Sequence, residues 1–214
     1  KNFINANIFL KEKLMNVMFN ISYGLYILTA KTEKLNGCVI NALSQVTSTP
    51  NRIMIAVNKN NFTTQQILQT KKFNVSILNE DANFDLIKRF GFASGKNVDK
   101  FDNFQNYKIA ENDIPYITFG TNSYISAEVK EVRDLGTHYE FLAEVTAEVS
   151  LNDKPSITYT YYQTNIKPKA STSQKKVVYI CSVCGYVYEG DPLPEDFVCP
   201  ICLHDAKFFV KSET

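Results

Sequence analysis

The sequence lacks several features that would assign a function at once. Its 214 residues include no tryptophan, and the formal net charge is only +1 at pH 7. A charge so near zero does not indicate a nucleic acid or another polyanion as a partner. Hydrophobic residues make up 44% and charged residues 21%, which is ordinary for a globular chain and excludes wholesale disorder.

Export and membrane signals are also missing. Residues 1–13 contain no apolar core followed by a small-residue cleavage site. The longest uncharged stretch, residues 14–30, is interrupted by polar residues, and it is shorter than the about 20 apolar residues that a bilayer span needs. We therefore expect a soluble, cytoplasmic protein with no membrane partner.

Nucleotide-binding motifs of the Rossmann and Walker types are absent as well. The first 165 residues are instead rich in β-branched and aromatic residues, often in the apolar–polar alternation of half-buried strands. Many strands with few helices predict a mainly β fold, a barrel or a sandwich. The predicted strands are Val17–Leu28, Cys38–Val46, Arg52–Val57, Lys72–Leu78, Tyr124–Val132, His138–Val149 and Ser156–Tyr162.

Two helices are predicted between these strands. One is expected to begin near Thr63, whose hydroxyl can cap the helix while Gln66 completes a capping box. The other is expected from Asp81 to Phe90, because glycine, here Gly91, commonly follows the end of a helix.

The composition changes near residue 165 and indicates three segments. Residues 166–176 carry Pro, Ser, Thr and Lys without apolar periodicity, which is typical of a linker between a large domain at 1–165 and a small one at 177–214. Residues 1–177 hold 21 Lys or Arg against 16 Asp or Glu, whereas residues 178–214 hold 2 against 6. The acidic small domain can therefore be steered towards a basic surface, on its own chain or on another protein.

Four of the five cysteines crowd into the small domain as two Cys-x-x-Cys pairs. In a reducing compartment such clusters are more often metal ligands than disulfides. Four thiolates close a tetrahedron that accepts zinc or iron, and spacing alone favours a structural zinc. The predicted ligands are Cys181, Cys184, Cys199 and Cys202.

The residues around these pairs resemble rubredoxin, the one-iron electron carrier. The resemblance covers about 38 residues and rests on the Cys-x-x-Cys-Gly-Tyr start, the aromatic Tyr188, the acidic turn before Phe197 and the Cys-Pro-x-Cys pair. Phe197 stands where rubredoxins usually have tryptophan, and Leu203 where they usually have glycine. The resemblance implies one iron in place of zinc, at a closed site that exchanges single electrons and binds no substrate.

A polar loop at residues 58–64 runs into the first predicted helix. Free amide groups and the helix dipole at such a place favour a phosphate, although an ordinary helix cap explains the same residues. The order of motifs over residues 10–165, including Gly37 to Ala42, Phe92 to Gly95 and Asp134 to His138, resembles the flavin-reductase family of FMN-binding split β-barrels. That resemblance implies a homodimer with FMN near the subunit interface and NADH or NADPH as electron donor.

The resemblance also implies which residues hold FMN. Segments 37–42 and 45–48 would line the flavin ring and the ribityl chain. The 58–64 loop would take the phosphate, and Ser94 and Lys100 would lie near that loop. The implied contacts are Gly37, Cys38, Val39, Ile40, Asn41, Ala42, Gln45, Val46, Thr47, Ser48, Asn58, Lys59, Asn60, Thr63, Thr64, Ser94 and Lys100.

No catalytic side chain is predicted, because the flavin would carry the chemistry. Cys38 is interpreted as a buried strand residue and not as a nucleophile, since a free buried cysteine behaves as a hydrophobe and no basic partner is evident. By family analogy, His138 would lie towards the nicotinamide.

The two resemblances together are those of the high-molecular-weight rubredoxins of anaerobic bacteria. They imply that hydride from NAD(P)H reaches FMN, that single electrons pass to the iron, and that an acceptor protein such as a flavodiiron O2 or NO reductase receives them. Two other hypotheses stay open: a reductase of free flavin with a structural zinc tail, and a non-enzymatic FMN-binding protein.

Overall fold

The computed structural model describes residues 20–168, 177–200 and 203–213. The chain divides into two compact units, one ending at Pro168 and the other beginning at Lys169. Within the described ranges, no helix is both long and apolar enough to cross a membrane. Cys202 and most of the predicted linker lie outside the described residues.

The large unit is built on a seven-stranded antiparallel sheet. The strands are β1 (Tyr26–Lys31), β2 (Leu35–Ile40), β3 (Leu43–Ser48), β4 (Asn51–Asn58), β5 (Lys72–Leu78), β8 (Thr121–Asp134) and β9 (His138–Ser150), in the spatial order β2-β1-β5-β8-β9-β4-β3. A small hairpin, β6 (Tyr107–Ile109) and β7 (Pro115–Ile117), pairs separately. This agrees with the predicted mainly β fold.

The described part of the large unit also contains three α-helices. They are α1 (Phe62–Thr70), α2 (Phe84–Gly91) and α3 (Tyr159–Tyr161), the last continuing into a π-helical turn at Tyr162–Ile166. One face of α2 packs into the core, with Leu86, Ile87 and Phe90 buried. The side chain of Asn83 accepts a hydrogen bond from the Leu86 amide and so caps the helix.

Two hydrophobic clusters hold the large unit together. One fills the inside of the sheet, where the inward side chains of β4 (Ile53, Ile55 and Val57) pack with Phe141 of β9. Because successive strand residues point to opposite faces, the alternation predicted for β4 places these three residues on one side. The second cluster lies under α2 and includes Phe90 and Phe101, whose rings meet edge to face at 5.5 Å.

Several predicted elements need correction. The stretch Cys38–Val46 is not one strand, because β2 ends at Ile40 and β3 begins at Leu43. The stretch Ser156–Tyr162 is wrong as a strand: only isolated bridges occur before α3 begins. For the predicted strand Val17–Leu28, the described residues form a strand only from Tyr26 onwards.

The predicted linker begins within helical structure. Tyr162 is buried, and Ile166 packs against the cluster under α2. Composition could not reveal this because the turn is rich in polar residues and buries few side chains. The boundaries at 165 and 176 stay predictions.

The small unit is a three-stranded antiparallel sheet of β11 (Val187–Glu189), β10 (Val177–Cys181) and β12 (Phe209–Glu213), with a 3-10 turn at Ala206–Phe208. Its core consists of aromatic rings next to cysteines. Phe197, at the position of the usual tryptophan, lies 4.6 Å from Tyr188 and 5.3 Å from Phe209, measured between ring centroids. A core this small needs a further staple to be stable.

Candidate functional site

A cleft of about 330 Å³ opens at the N-terminal end of α1. It lies between that helix, strand β2 and the loop that follows α2. The cleft brings together five of the predicted flavin contacts from four separate parts of the chain. They are Cys38, Asn60, Thr63, Ser94 and Lys100.

Lys100 forms part of the floor of this cleft. It is only 4% exposed, and its ammonium group donates hydrogen bonds of 2.8 Å to the carbonyl oxygens of Gly37 and Phe90. Burial lowers the pKa of Lys100 because it disfavours the charged form. Neither of these two acceptors is a carboxylate, so they leave the charge of the ammonium group uncompensated.

Cys38 lies beside this ammonium group, on β2. Burial raises the pKa of its thiol, and this effect outweighs the opposing influence of Thr63, Lys100 and Asn61. A thiol with a raised pKa is a poor nucleophile. The structure thus agrees with the interpretation of Cys38 as a buried strand residue, although it also lines the cleft.

Asn36 joins strand β2 to α1. Its buried side chain donates a 2.9 Å hydrogen bond to the hydroxyl of Thr63. The same side chain packs against Gly95, where an added Cβ would lie 2.2 Å from the Asn36 oxygen. A side chain at residue 95 would therefore force the Asn36 side chain to move.

The start of α1 differs from the predicted capping box. Asn61, not Thr63, is the N-cap, and its side chain caps no amide. Gln66 does not act as the partner of a capping box, because its side-chain amide donates a hydrogen bond to the backbone carbonyl of Lys34. Because the first amides of a helix have no acceptor one turn earlier, those of Phe62 and Thr63 are positioned to meet an anion.

Other residues of the 58–64 loop have partners within the protein. The hydroxyl of Thr64 donates to the Asn58 carbonyl at 2.7 Å. The ammonium group of Lys59 pairs with Asp134 and lies 4.8 Å from the ring centre of Tyr139. The pair lowers the pKa of the Asp134 carboxyl. Neither Lys59 nor Thr64 lines the cleft.

His138 begins β9 directly opposite Asn58 of β4. It is partly buried, and its Nδ1 lies 2.9 Å from the Thr137 hydroxyl. The register therefore places His138 next to the 58–64 loop. Its role towards the nicotinamide stays a prediction.

The predicted contact segment 45–48 does not line the cleft. It belongs to β3, at the edge of the sheet, and its side chains are exposed. A bulge interrupts its pairing with β4 between Gln45 and Thr47. Six predicted contacts between β2 and β3 or on β3 do not line the cleft, namely Asn41, Ala42, Gln45, Val46, Thr47 and Ser48.

Several cleft residues were not predicted. Asn61 and Phe62 lie within the 58–64 loop that was predicted to take the phosphate, but they were not singled out as contacts, and Asn36 directly precedes the predicted segment 37–42. Phe92, Ala93 and Gly95 belong to the quoted motif Phe92 to Gly95, of which only Ser94 was predicted as a contact. The added lining residues are Asn36, Asn61, Phe62, Gly91, Phe92, Ala93 and Gly95.

The hydrogen-bond donors that line the cleft fit the phosphate group of a flavin. A buried ammonium group, the first amides of α1 and the hydroxyls of Thr63 and Ser94 meet at one place. These are the groups that bind phosphates in proteins.

The cysteines of the small unit form a second candidate site. The sulfur atoms of Cys181, Cys184 and Cys199 all lie within 4.8 Å of one another, and those of Cys184 and Cys199 are 3.5 Å apart. A tetrahedron with metal–sulfur bonds of about 2.3 Å has edges of about 3.8 Å. The three described thiols therefore fit a tetrahedral metal, with Cys202 as the predicted fourth ligand.

The backbone at the two pairs follows one hydrogen-bond pattern. Four residues after the first cysteine of each pair, the amides of Gly185 and Leu203 donate to the carbonyls of Cys181 and Cys199, at 2.8 and 2.9 Å. Gly185 and Leu203 have φ of 76° and 61°. The repeated geometry is what two equivalent metal-binding turns require.

Known families match both units. The flavin reductase like domain family matches residues 18–170, and the rubrerythrin, rubredoxin-like domain family matches residues 179–210. A relative from Moorella thermoacetica, "High molecular weight rubredoxin", is 37% identical over 86% of this chain and 93% of its own length. The "Ferric-chelate reductase (NAD(P)H)" of Archaeoglobus fulgidus is 32% identical over 77% of this chain and 96% of its own length.

Solved structures share the fold of the large unit. The NADH:FAD oxidoreductase SgcE6 of Streptomyces globisporus superposes with a TM-score of 0.63 at 20% identity, over 77% of this chain and 95% of the other. An FMN-binding protein from Thermus thermophilus superposes with a TM-score of 0.59 at 18% identity, over 65% of this chain and 83% of the other. This chain therefore belongs to the flavin reductase-like family of oxidoreductases and carries a rubredoxin-like domain at its C-terminal end.

Proposed function

We propose that this chain oxidises NADH or NADPH at FMN held in the large unit and passes single electrons to one iron. The iron would be held by Cys181, Cys184, Cys199 and Cys202, and an acceptor protein such as a flavodiiron O2 or NO reductase would receive the electrons. The observation that carries the proposal is the cluster of three thiols on a chain of the flavin reductase-like family.

Each unit has a distinct task in this proposal. FMN supplies the conversion between a hydride, which carries two electrons, and single-electron transfer. Lys100, the first amides of α1 and the hydroxyls of Thr63 and Ser94 bind the phosphate. The four thiolates leave no open position on the metal, so the small unit serves electron transfer and not substrate binding.

The test is an anaerobic titration of iron-loaded, FMN-loaded protein with NADH, followed by visible absorbance. We expect the flavin absorption and the ferric–thiolate absorption both to bleach. Cys199→Ser is the matched variant, in which only the flavin should respond. Bleaching of the flavin beside an unresponsive ferric band would contradict the relay. A parallel titration with NADPH decides which nucleotide is used.

A second candidate function is the reduction of free flavin with zinc in the small unit. Tetrahedral thiolate sites accept zinc as well as iron, and the 3.5 Å sulfur separation suits both. Metal analysis of protein purified from its native host separates the two candidates. Zinc as the native metal would favour the second one.

We further propose a homodimer in the cytoplasm, with the flavin near the subunit interface. The exposed side chains of β3, among them Val46 at 44% exposure, support this because the segment 45–48 would meet the flavin from the dimer surface. Sedimentation equilibrium should give twice the chain mass. A monomer that retains FMN would contradict the proposal.

A further inference from the structure

Lys34 contacts both walls of the cleft without lining it. It is an exposed residue in the turn between β1 and β2. Its ammonium group donates a 2.7 Å hydrogen bond to the carbonyl oxygen of Gly95, in the loop after α2. The same group lies 4.7 Å from the ring centre of Phe62, the first residue of α1. One side chain therefore connects the two segments that carry the proposed phosphate donors.

The loop that receives this hydrogen bond, residues 92–98, is held only weakly by apolar burial. Phe92 and Val98 at its two ends are 63% and 50% exposed. The amide of Val98 donates to the Ser94 carbonyl at 3.1 Å, which shapes the loop but does not attach it to the rest of the unit. Segments with few buried apolar contacts open at a low free-energy cost. The bond from Lys34 is therefore placed to determine how long the loop stays against the cleft.

The opposite wall of the cleft is attached more firmly. Asn36, two residues after Lys34, is 2% exposed and donates its hydrogen bond to the Thr63 hydroxyl of α1. Water is shielded from that bond, whereas it reaches the exposed Lys34 and competes for the bond to Gly95. The loop, and not the helix, is therefore the wall that opens more readily.

We propose that Lys34 is a positioning residue that latches the 92–98 loop against the cleft and so slows the release of FMN. This rests on the proposed binding of FMN in the cleft. Ser94 belongs to the loop, so its hydroxyl is held at the cleft only while the loop is closed. The effect falls on release because a bound ligand leaves after its contacts open, and changes around a binding site mostly alter the dissociation rate.

The latch is tested first in the absence of FMN. Backbone nitrogen relaxation is measured on zinc-loaded, full-length protein free of flavin. We expect an order parameter of about 0.85 for the Gly95 amide in the wild type and below about 0.6 in Lys34→Met, which removes the donor and the charge. Lys34→Arg should keep the wild-type value, because arginine also donates and packs on aromatic rings. An unchanged Gly95 amide in Lys34→Met would overturn the proposal.

Lys96→Met is the control for charge. Lys96 is exposed on the same loop, so this variant removes an equal charge and leaves the latch in place. We expect the Gly95 amide to stay as ordered as in the wild type. Loss of order in Lys96→Met equal to that in Lys34→Met would show a general effect of charge on the loop and overturn the proposal.

Release of FMN is tested second, by stopped-flow flavin fluorescence. We expect the dissociation rate constant of Lys34→Met to rise about tenfold, because a hydrogen bond from a charged group and a cation–π contact are lost together. Lys96→Met should alter only the association rate, since a distant charge steers the phosphate. Equal dissociation rates for the two variants would overturn the proposal. If Gly95 loosens in Lys34→Met but even the wild type binds no FMN, the latch is supported while the proposed function fails.

Discussion

Lys100 shows how one residue can shape a binding cleft. A buried ammonium group is tolerated only when hydrogen bonds replace its water. Here the carbonyls of Gly37 and Phe90 do so, which ties β2 to the end of α2. The same positive charge faces the cleft and supports the phosphate role proposed for it.

We predict that Lys100→Met lowers the free energy of unfolding of the large unit by about 2 kcal/mol, because two buried carbonyls lose their donor. Urea denaturation followed by circular dichroism measures this. Lys96→Met is the control, since Lys96 is exposed on the same loop. An equal effect of both variants would contradict the structural role of Lys100.

Lys59 and Asp134 join two loops next to the cleft, and their pairing determines a pH dependence. The folded state lowers the pKa of Asp134 below its ordinary 3.8, mainly through the hydrogen bond from Lys59. The stabilisation is therefore complete well above pH 3.8 and is lost as the pH falls through the lowered pKa.

We predict that Lys59→Met raises the pKa of Asp134 back towards 3.8. Carboxyl carbon shifts in an NMR titration report this directly. Lys154→Met, which breaks a separate pair with Asp81, should leave the titration of Asp134 unchanged. A pKa of Asp134 that does not respond to Lys59→Met would show that the pair does not form in solution.

At the scale of elements, the two longer helices differ in how they begin. At α2, the side chain of the N-cap residue Asn83 accepts a hydrogen bond from the backbone amide of Leu86. At α1 the N-cap Asn61 caps no amide, and its first turn faces the cleft. A helix that keeps its first amides available is weaker but can receive an anion.

We predict that Asn83→Ala destabilises the large unit by about 1 kcal/mol, the usual loss on removing an N-cap. Asn83→Asp should retain most of the stability because aspartate is also a good cap. Thermal unfolding of both variants measures the difference. Equal losses for alanine and aspartate would rule out capping as the reason.

At the scale of the whole molecule, the two units depend on different sources of stability. Among the residues that the structure describes, the large unit has two hydrophobic clusters, whereas the small unit has one aromatic cluster around its cysteines. Because about 40 residues bury too little apolar surface on their own, we expect the small unit to need a bound metal in order to fold.

We predict that Cys199→Ser unfolds the small unit and leaves the large unit intact. Cys199 is fully buried, so serine removes a metal ligand from the centre of the cluster. Proton–nitrogen NMR spectra should lose the dispersed signals of residues 177–213 and keep those of the large unit. Collapse of all signals would show that the units do not fold independently.

The sequence by itself determined the mainly β character, the strand over Lys72–Leu78 and the clustering of three of the four cysteines predicted as metal ligands, Cys181, Cys184 and Cys199. It could do so because alternation and cysteine spacing are local patterns. The sulfur atoms of Cys184 and Cys199, which come from different Cys-x-x-Cys pairs, lie 3.5 Å apart, as a shared metal site requires. Local reasoning failed at Thr63 and at Ser156–Tyr162, where tertiary contacts override propensity.

Only the tertiary structure decided which polar residues share the cleft. Lys59 and Lys100 are equivalent as basic residues in the sequence, yet one pairs with Asp134 and the other lies on the cleft floor. It likewise showed that Leu203 is both strained and exposed. The physical reason is the same in each case: burial, charge pairing and exposure arise from residues far apart in the chain, so no local pattern contains them.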